Sequence, residues 1–326
     1  MSLESNGEFQ GLFDLSPEEY YGCVYTINEN RRLALKEDFA SAPINPLTDV
    51  LIVNGSDGKS ERHTQSKTEI TLLTSQPTEA GAQPLADWYR KSKWSDMSAF
   101  FDVSPTGMPE VKVVGDPDAP LAYAYDDSKL VYPDRVLNSR LIVGNEDVLR
   151  DAKKQVLTEI SSDGLTGKRM RKEIEGQLQI AMRGLETGEY RHKRIFTTDP
   201  PQQYYDEDPQ NYSVGFKISG LRPVQRMTDL LTIRAIRAGK LSVDDASTFS
   251  TSTVDRIEAL SERGLAPDVQ SVIPAYQWFL QQYHVAQDRY KSTRGEVSVP
   301  FRADQFNQHR GAVIGFRESM KTFKVT

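Results

Sequence analysis

Val50-Leu51-Ile52-Val53 is an apolar run, and after one asparagine it is followed by Gly55-Ser56-Asp57-Gly58-Lys59-Ser60-Glu61. The fold prediction starts from these two stretches. A short apolar run that ends at a glycine turn is typical of a buried strand. A Gly-Ser turn that leaves a strand presents backbone N–H groups and a hydroxyl, with room for a phosphate. We therefore predict a strand followed by a phosphate-binding turn. A plain strand-to-helix turn is the alternative interpretation.

A second segment, Ser66-Lys67-Thr68-Glu69, begins a further apolar-rich stretch that extends to Leu73. Alternate residues of a strand point to the same face, so positions 67 and 69 are expected to project together. Carboxylates beside a phosphate-binding turn can hold divalent metal ions against a triphosphate. Here one of the two positions carries Lys67 instead of an acid. At an effective dielectric constant of about 20, unit charges about 4 Å apart interact by ~4 kcal/mol, so a lysine there opposes metal binding.

Two roles are open for Lys67. It either contacts a triphosphate in place of a metal ion, or forms an ion pair with Glu69 or Asp102 that holds a vacated site together. Lys59 has the same choice, because a lysine is a point charge that serves a phosphate as well as a salt bridge with Glu61.

The composition is that of a globular chain long enough for two domains, with 326 residues, 38% of them hydrophobic and 26% charged. The net charge of −6 argues against general nucleic-acid binding, which depends on an excess of lysine and arginine. The single cysteine, Cys23, fits a reducing compartment. No apolar run is long enough to span a bilayer, and the N-terminus lacks a signal-peptide pattern. We therefore expect no membrane partner and a cytoplasmic location, with secretion by a signal-independent route left open.

Helix and strand patterns divide the chain into an α/β part and a helical part. Ser16-Pro17-Glu18-Glu19 is a capping signature for a helix that extends towards Phe39. Residues 98–103 and 111–114 are predicted to form a hairpin. Beyond Asp134, apolar residues recur at helical spacing, which predicts helices near 148–160, 170–185, 222–239, 253–264 and 269–290. We place the domain boundary at residue 130, with an α/β domain over 1–130 that includes the N-terminal helix and a helical domain over 131–326.

Several segments, in their order and spacing, resemble the DNA polymerase β-type nucleotidyltransferase superfamily. The glycine segment matches that family's Gly-Ser turn without gaps, and the family's two metal aspartates then fall on Lys67 and Glu69. Residues 100–107 are similar to a later strand in which an aspartate, here Asp102, supplies the third carboxylate, although the arginines that follow it in the family are missing. Segments of the helical part also match, and they are residues 135–144, 216–223, 252–264 and 275–287. The resemblance is to the bacterial branches of the glutamine-synthetase adenylyltransferase and the signal-protein uridylyltransferase, and to related signal-transduction nucleotidyltransferases of unknown substrate.

The resemblance implies an α+β fold, in which a small nucleotidyltransferase-type mixed sheet with flanking helices precedes a helical bundle. It implies that Glu69 and Asp102 are the catalytic acids and the ligands of Mg²⁺ or Mn²⁺. The implied nucleotide-binding residues are Gly55, Ser56, Gly58, Lys59, Lys67, Lys217 and Arg222. For Lys217 and Arg222, an ordinary helix start is an equally good explanation.

Two functions follow from the resemblance. In the first, the protein transfers a nucleoside monophosphate from a nucleoside triphosphate to a hydroxyl of a protein or small molecule, with a partly degenerate metal site. In the second, it is a catalytically inactive relative that binds a nucleotide or a partner protein. A purely structural interaction module is a third option, which leaves Gly55 and Ser56 without a purpose.

Overall fold

The structure is a computed structural model. It describes residues 9–45, 47, 49–53, 59–61, 68–74, 84–85, 87–88, 91, 99–101, 111–113, 136–187, 189–190, 193–194, 216–290 and 303–324. Both helices and a sheet are present, which is compatible with the predicted α+β class. Within these ranges, no helix combines the length and the apolar character that crossing a membrane requires.

The chain forms two compact units, and each is built from separate stretches of sequence. The first consists mainly of Val24–Met170 and Ser242–Ser252. The second consists of Ser2–Cys23, Arg171–Leu241 and Thr253–Thr326. The predicted boundary at residue 130 lies outside the described residues and stays a prediction.

Helix α1 (Pro17–Asp38) begins at the predicted capping box. The Ser16 hydroxyl accepts a hydrogen bond from the backbone N–H of Glu19 at 3.3 Å. The Glu19 carboxylate accepts one from the backbone N–H of Ser16 at 3.1 Å and one from the Ser16 hydroxyl at 2.7 Å. These bonds satisfy donors that otherwise lack partners at a helix start, and the Ser16 hydroxyl lowers the pKa of Glu19. The predicted start of α1 is confirmed.

A mixed sheet forms the centre of the first unit. Strand β1 (Asp49–Val53) pairs antiparallel with β2 (Thr68–Thr74). Two three-residue strands, β3 (Ala99–Phe101) and β4 (Val111–Val113), both pair parallel with β2. On its other side, β1 pairs antiparallel with β5 (Arg140–Gly144), which gives the order β3-β2-β1-β5 with β4 also against β2.

The predicted hairpin of residues 98–103 and 111–114 is wrong. β3 and β4 both run parallel to β2, so they point in the same direction, whereas the two strands of a hairpin are antiparallel. β3 pairs with Thr68–Ile70 and β4 pairs with Leu72–Thr74, so the two short strands lie in tandem along one edge of the longer one. Proline and glycine between two short apolar runs indicate a turn, but they do not show that the two runs pair with each other.

Helix α2 (Glu146–Ser161) packs on one face of this sheet and confirms the predicted apolar stripe. Asn145 caps it by accepting a hydrogen bond from the backbone N–H of Asp147 at 2.9 Å. Its buried side chains Leu149, Ala152 and Val156 share one core cluster with the strand residues Val50 and Ile52. Helix α3 (Leu165–Thr187) carries the second predicted stripe, whose members are all buried: Met170, Ile174, Leu178, Met182 and Leu185.

Most of the remaining helices belong to the second unit, which also contains the two-residue strands β6 (Glu189–Tyr190) and β7 (Lys193–Arg194). A π-helical segment, Phe216–Leu221, leads into α4 (Arg222–Arg237). Helix α5 (Val243–Ser247) belongs to the first unit. The last three helices are α6 (Thr253–Glu262), α7 (Val272–Tyr290) and α8 (Ala303–Thr322). The predicted helices α4, α6 and α7 are confirmed. The sequence pattern misses α5, because five residues are too few to show a helical period of apolar residues. It also misses α8, which contains two glycines.

Trp278 of α7 lies in an aromatic cluster of the second unit. Its ring stacks on the imidazole of His309 with 4.7 Å between centroids, and it also contacts Phe216, Phe279 and Phe306. Burial in this cluster lowers the pKa of His309. The imidazole is therefore held neutral in the folded chain at pH values where an unfolded chain binds a proton.

We expect the free energy of unfolding to decrease as the pH falls below 6.5, the usual histidine value, because the unfolded state then binds a proton that folded His309 does not. The variant His309→Phe keeps a ring on Trp278 but has no proton to bind, so its stability should decrease less over the same range. Urea denaturation at a series of pH values measures both proteins. If the two stability curves stay parallel from about pH 7.5 to 5, the titration of His309 is not linked to folding.

Candidate functional site

Four strands of the sheet share one row of paired residues. Phe101 of β3 pairs with Ile70 of β2, Ile70 pairs with Val53 of β1, and Val53 pairs with Arg140 of β5. β1 and β3 end at this row, β5 begins there, and β2 begins two residues before it. The row therefore marks one end of the sheet, where four segments of the chain enter or leave it.

Most of the predicted site residues belong to these segments, and Lys217 and Arg222 do not. Glu69 precedes Ile70 in β2, and its backbone pairs with that of Phe100 in β3. Asp102 comes directly after the last residue of β3, and Gly55 comes two residues after the last residue of β1. Gly55 and Asp102 lie outside the described residues, as do Ser56, Gly58 and Lys67, and of Glu69 only the backbone is described.

The glycine segment re-enters the described structure at Lys59, Ser60 and Glu61. Ser60 is 1% exposed and has a φ of 57°, a left-handed conformation that few residues other than glycine adopt. Its hydroxyl donates a hydrogen bond to Glu29 of α1 at 3.0 Å and accepts one from Arg140 of β5 at 2.5 Å. Backbone strain of this kind, of order 1–3 kcal/mol, persists only where the surroundings fix it.

Glu29, Ser60 and Arg140 form a closed triad, because Arg140 also makes a salt bridge with Glu29. Arg140 and Glu29 are each 22% exposed, so the pair is partly shielded from water. The guanidinium also lies 6.0 Å from the ring of Tyr25. The triad joins the exit of the glycine segment to the helix and the strand beside it, and a charge-assisted contact of this type holds a turn in one conformation.

The sequence pattern does not point to this triad. Glu29 is an ordinary charged residue of a helix, and it also pairs with Arg32 one turn later at 3.3 Å. Arg140 belongs to the matched segment 135–144, but nothing there marks it as a partner of Ser60. The one available signal is Ser60 itself, which comes two residues after Gly58.

The other predicted nucleotide-binding residues lie in different surroundings. Lys59 is a half-buried turn residue beside Ser60. Lys217 is exposed in the π-helical segment, with its ammonium 5.8 Å from the ring centroid of Tyr283. Arg222 is exposed as the first residue of α4. Lys217 and Arg222 belong to the second unit, and their binding of a nucleotide stays a prediction.

The described part of the chain contains no group of three or more histidine, cysteine, aspartate or glutamate side chains that could hold a metal ion. Asp102 and the carboxylate of Glu69, the two expected ligands of Mg²⁺ or Mn²⁺, lie outside that part. The donor set can therefore be judged only from the sequence, in which Lys67 replaces one acid. The metal stays an expectation.

No protein-family model matches this chain, and no curated protein matches it at a significant level. The resemblance to nucleotidyltransferases therefore depends on the segments quoted above.

Proposed function

We propose that the first unit binds a nucleoside triphosphate at the end of the sheet marked by Val53, Ile70 and Phe101, and that it transfers the nucleoside monophosphate to a hydroxyl of a protein or small molecule. The observation that carries this proposal is the shared row, because three separate segments of the chain meet the sheet there. They are the segments that hold Ser56, Glu69 and Asp102. A nucleotidyltransferase-type site needs a phosphate turn and carboxylates within reach of one another, and this register is compatible with that arrangement.

The glycine segment is the part of the site on which phosphate binding depends. A loop of this composition binds phosphate well only if its backbone N–H groups are held in place before the ligand arrives. The triad of Glu29, Ser60 and Arg140 fixes the exit of the segment, and β1 fixes its entry. Anchoring at both ends supports the phosphate-binding interpretation over that of a plain connecting turn.

The transfer reaction sets the requirements for the remaining residues. The acceptor oxygen forms a bond to the α-phosphorus while the bond to the pyrophosphate group breaks, and the hydroxyl proton passes to solvent. Negative charge on the transferred group is stabilised by fixed donors and cations, here the turn N–H groups and Lys59. A divalent cation held by Glu69 and Asp102 would supply further neutralisation of the triphosphate.

A second candidate function is nucleotide binding without turnover, and Lys67 is the observation that favours it. A lysine at a metal position adds a positive charge where the reaction needs a bound cation. The positive charge of Lys67 also suits a triphosphate, so the protein can bind a nucleotide even if it cannot carry out metal-dependent transfer. In this case the fold serves as a nucleotide-binding or protein-interaction module.

Titration calorimetry with each nucleoside triphosphate, with and without Mg²⁺ or Mn²⁺, separates the two functions when it is applied to the wild type and to Lys67→Asp. Active transfer predicts that the metal ion strengthens nucleotide binding by the wild type and that pyrophosphate is released when an acceptor is present. Nucleotide binding without turnover predicts that the metal ion does not strengthen nucleotide binding by the wild type. In that case Lys67→Asp, which restores the acid, binds the metal complex at least about tenfold more tightly than the wild type does.

The matched control is Lys91→Asp, which makes the same charge change at an exposed helical position of the first unit. It should titrate like the wild type. If neither the wild type nor Lys67→Asp binds any nucleotide under either condition, transfer and nucleotide binding are both excluded, and a protein-interaction or structural module remains.

A further inference from the structure

A cavity of about 470 Å³ opens in the first unit along the edge strand β5. Its lining comes from the second half of α1, from β5, from the first half of α2 and from the loop of residues 247–251. Five of the lining side chains are cationic, and they are Arg32, Lys36, Arg140, Arg150 and Lys153. Glu146 is the one acid among the described residues of the lining. We call this cavity the cationic pocket.

Cations outnumber acids among the described side chains that line the cationic pocket. Glu29 neutralises one charge between Arg32 and Arg140, because it makes a salt bridge with both. Asp147 pairs with Arg150. The lining itself holds five cations and one acid among the described residues, in a chain whose net charge is −6. A local field of opposite sign to the whole protein attracts anions to this place.

The wall of the cationic pocket formed by residues 247–251 is held in position before any ligand binds. The Ser247 hydroxyl donates a hydrogen bond to the Asp244 carbonyl at 2.7 Å, and that of Thr248 donates one to the Asp245 carbonyl at 2.8 Å. Lys154 of α2 forms a salt bridge with Asp244 at 2.5 Å, and this contact fastens α5 to α2. A fixed wall lowers the entropy cost of ligand binding.

The size and chemistry of the cationic pocket select the class of ligand. A volume near 470 Å³ is in the range of small-molecule sites, from roughly 300 to 1,000 Å³, and is too small for a nucleic-acid groove. Arginine and lysine side chains that converge from α1, β5 and α2 match the several oxygens of a phosphate group. The excess of cations in the lining suits a ligand with several negative charges.

We propose that the cationic pocket is a binding site for a small oligophosphate, either a free one or the phosphate chain of a nucleotide. Arg32, Arg150, Lys36 and Lys153 hold its oxygens, and Arg140 connects the pocket to the triad at the exit of the glycine segment. The site is separate from the transfer chemistry proposed above and does not depend on a metal ion.

Calorimetric titration at low ionic strength in EDTA tests the site, with inorganic pyrophosphate in one arm and ATP in the other. The wild type should bind at least one of them, and the double variant Lys36→Gln/Lys153→Gln should bind it at least about tenfold more weakly. Pyrophosphate binding indicates that free oligophosphate is sufficient, and binding of ATP alone identifies a nucleotide as the source. The control Lys168→Gln removes the same charge from an exposed position of α3 in the first unit and should bind like the wild type.

The proposal is overturned if the wild type binds neither probe, or if the double variant binds as tightly as the wild type. Should the double variant fold poorly by circular dichroism, the charge reversal Lys36→Glu at an exposed position answers the same question. The variant Lys36→Gln/Lys153→Gln changes no residue of the proposed transfer site, so a failure here is distinguishable from a failure of the transfer proposal, which is tested with the metal ion and Lys67→Asp.

Discussion

The variant Asp229→Ala is expected to lower the free energy of unfolding by about 3–5 kcal/mol, the range for removing one partner of a buried salt bridge. Asp229 lies in α4, and its side chain is 10% exposed. Arg226, one turn earlier in the same helix, donates a hydrogen bond to it at 2.9 Å. Arg256 of α6 forms an ion pair with it at 3.1 Å. The aspartate therefore lies between two guanidinium groups that are themselves 11% and 9% exposed.

The large effect comes from the charges that are left behind. With alanine at this position, the guanidinium groups of Arg226 and Arg256 stay largely buried and lose the carboxylate between them. Neither group can regain full hydration unless a helix moves. The salt bridge also fixes the packing of α6 on α4, because its two arginines belong to different helices. The damage should therefore extend to the helix contacts of the second unit.

Urea denaturation followed by far-UV circular dichroism measures this loss. The neutral variant Asp229→Asn has nearly the same shape, so its deficit isolates the charge and should be a large part of that of Asp229→Ala. Glu262→Ala removes an acid from an exposed position at the end of α6 and should change stability by no more than about 0.5 kcal/mol. A loss below about 1 kcal/mol in Asp229→Ala would show that the arginines find other partners or water.

Those parts of the fold that depend on local pattern could be predicted from the sequence. The capping box of Ser16 and Glu19 and the buried stripes of α2 and α3 involve residues three or four positions apart. Such spacings are properties of a helix itself, so they are visible without any knowledge of tertiary structure. The strands β1 and β2 were recognisable for a similar reason, because each is an apolar run beside polar residues.

The parts that depend on distant partners could not be predicted. β3 and β4 suggest a hairpin to any local rule, and only their common partner β2 decides otherwise. Ser60 is 31 residues from Glu29 and 80 residues from Arg140, so their triad has no sequence signal. The wall of the cationic pocket comes from residues 247–251, which return to the first unit after a long excursion through the second. The domain boundary predicted at residue 130 places that stretch in the helical domain of residues 131–326.

The variant Gly144→Ala is expected to destabilise the first unit by about 2–6 kcal/mol, from backbone strain and overpacking together. Gly144 ends β5 with a φ of +113°, which residues with a Cβ atom rarely adopt. A Cβ atom here would lie 2.3 Å from the carbonyl oxygen of Asp49 and 2.8 Å from the Cα of Val50. Both are backbone atoms of β1, which is held on its other side by β2, so the neighbour cannot move away cheaply.

A matched substitution, Gly176→Ala, should raise the free energy of unfolding instead of lowering it. Gly176 lies inside α3, and a Cβ atom there meets no other atom within 4 Å. Alanine should therefore stabilise the helix by roughly 0.5–1 kcal/mol. Urea denaturation of both variants compares the same chemical change in two surroundings. Equal shifts in the same direction would contradict the close approach of β5 to β1. A loss confined to Gly144→Ala should also weaken pyrophosphate binding, because Gly144 ends the same strand, β5, that begins with Arg140, which lines the cationic pocket and contacts Ser60.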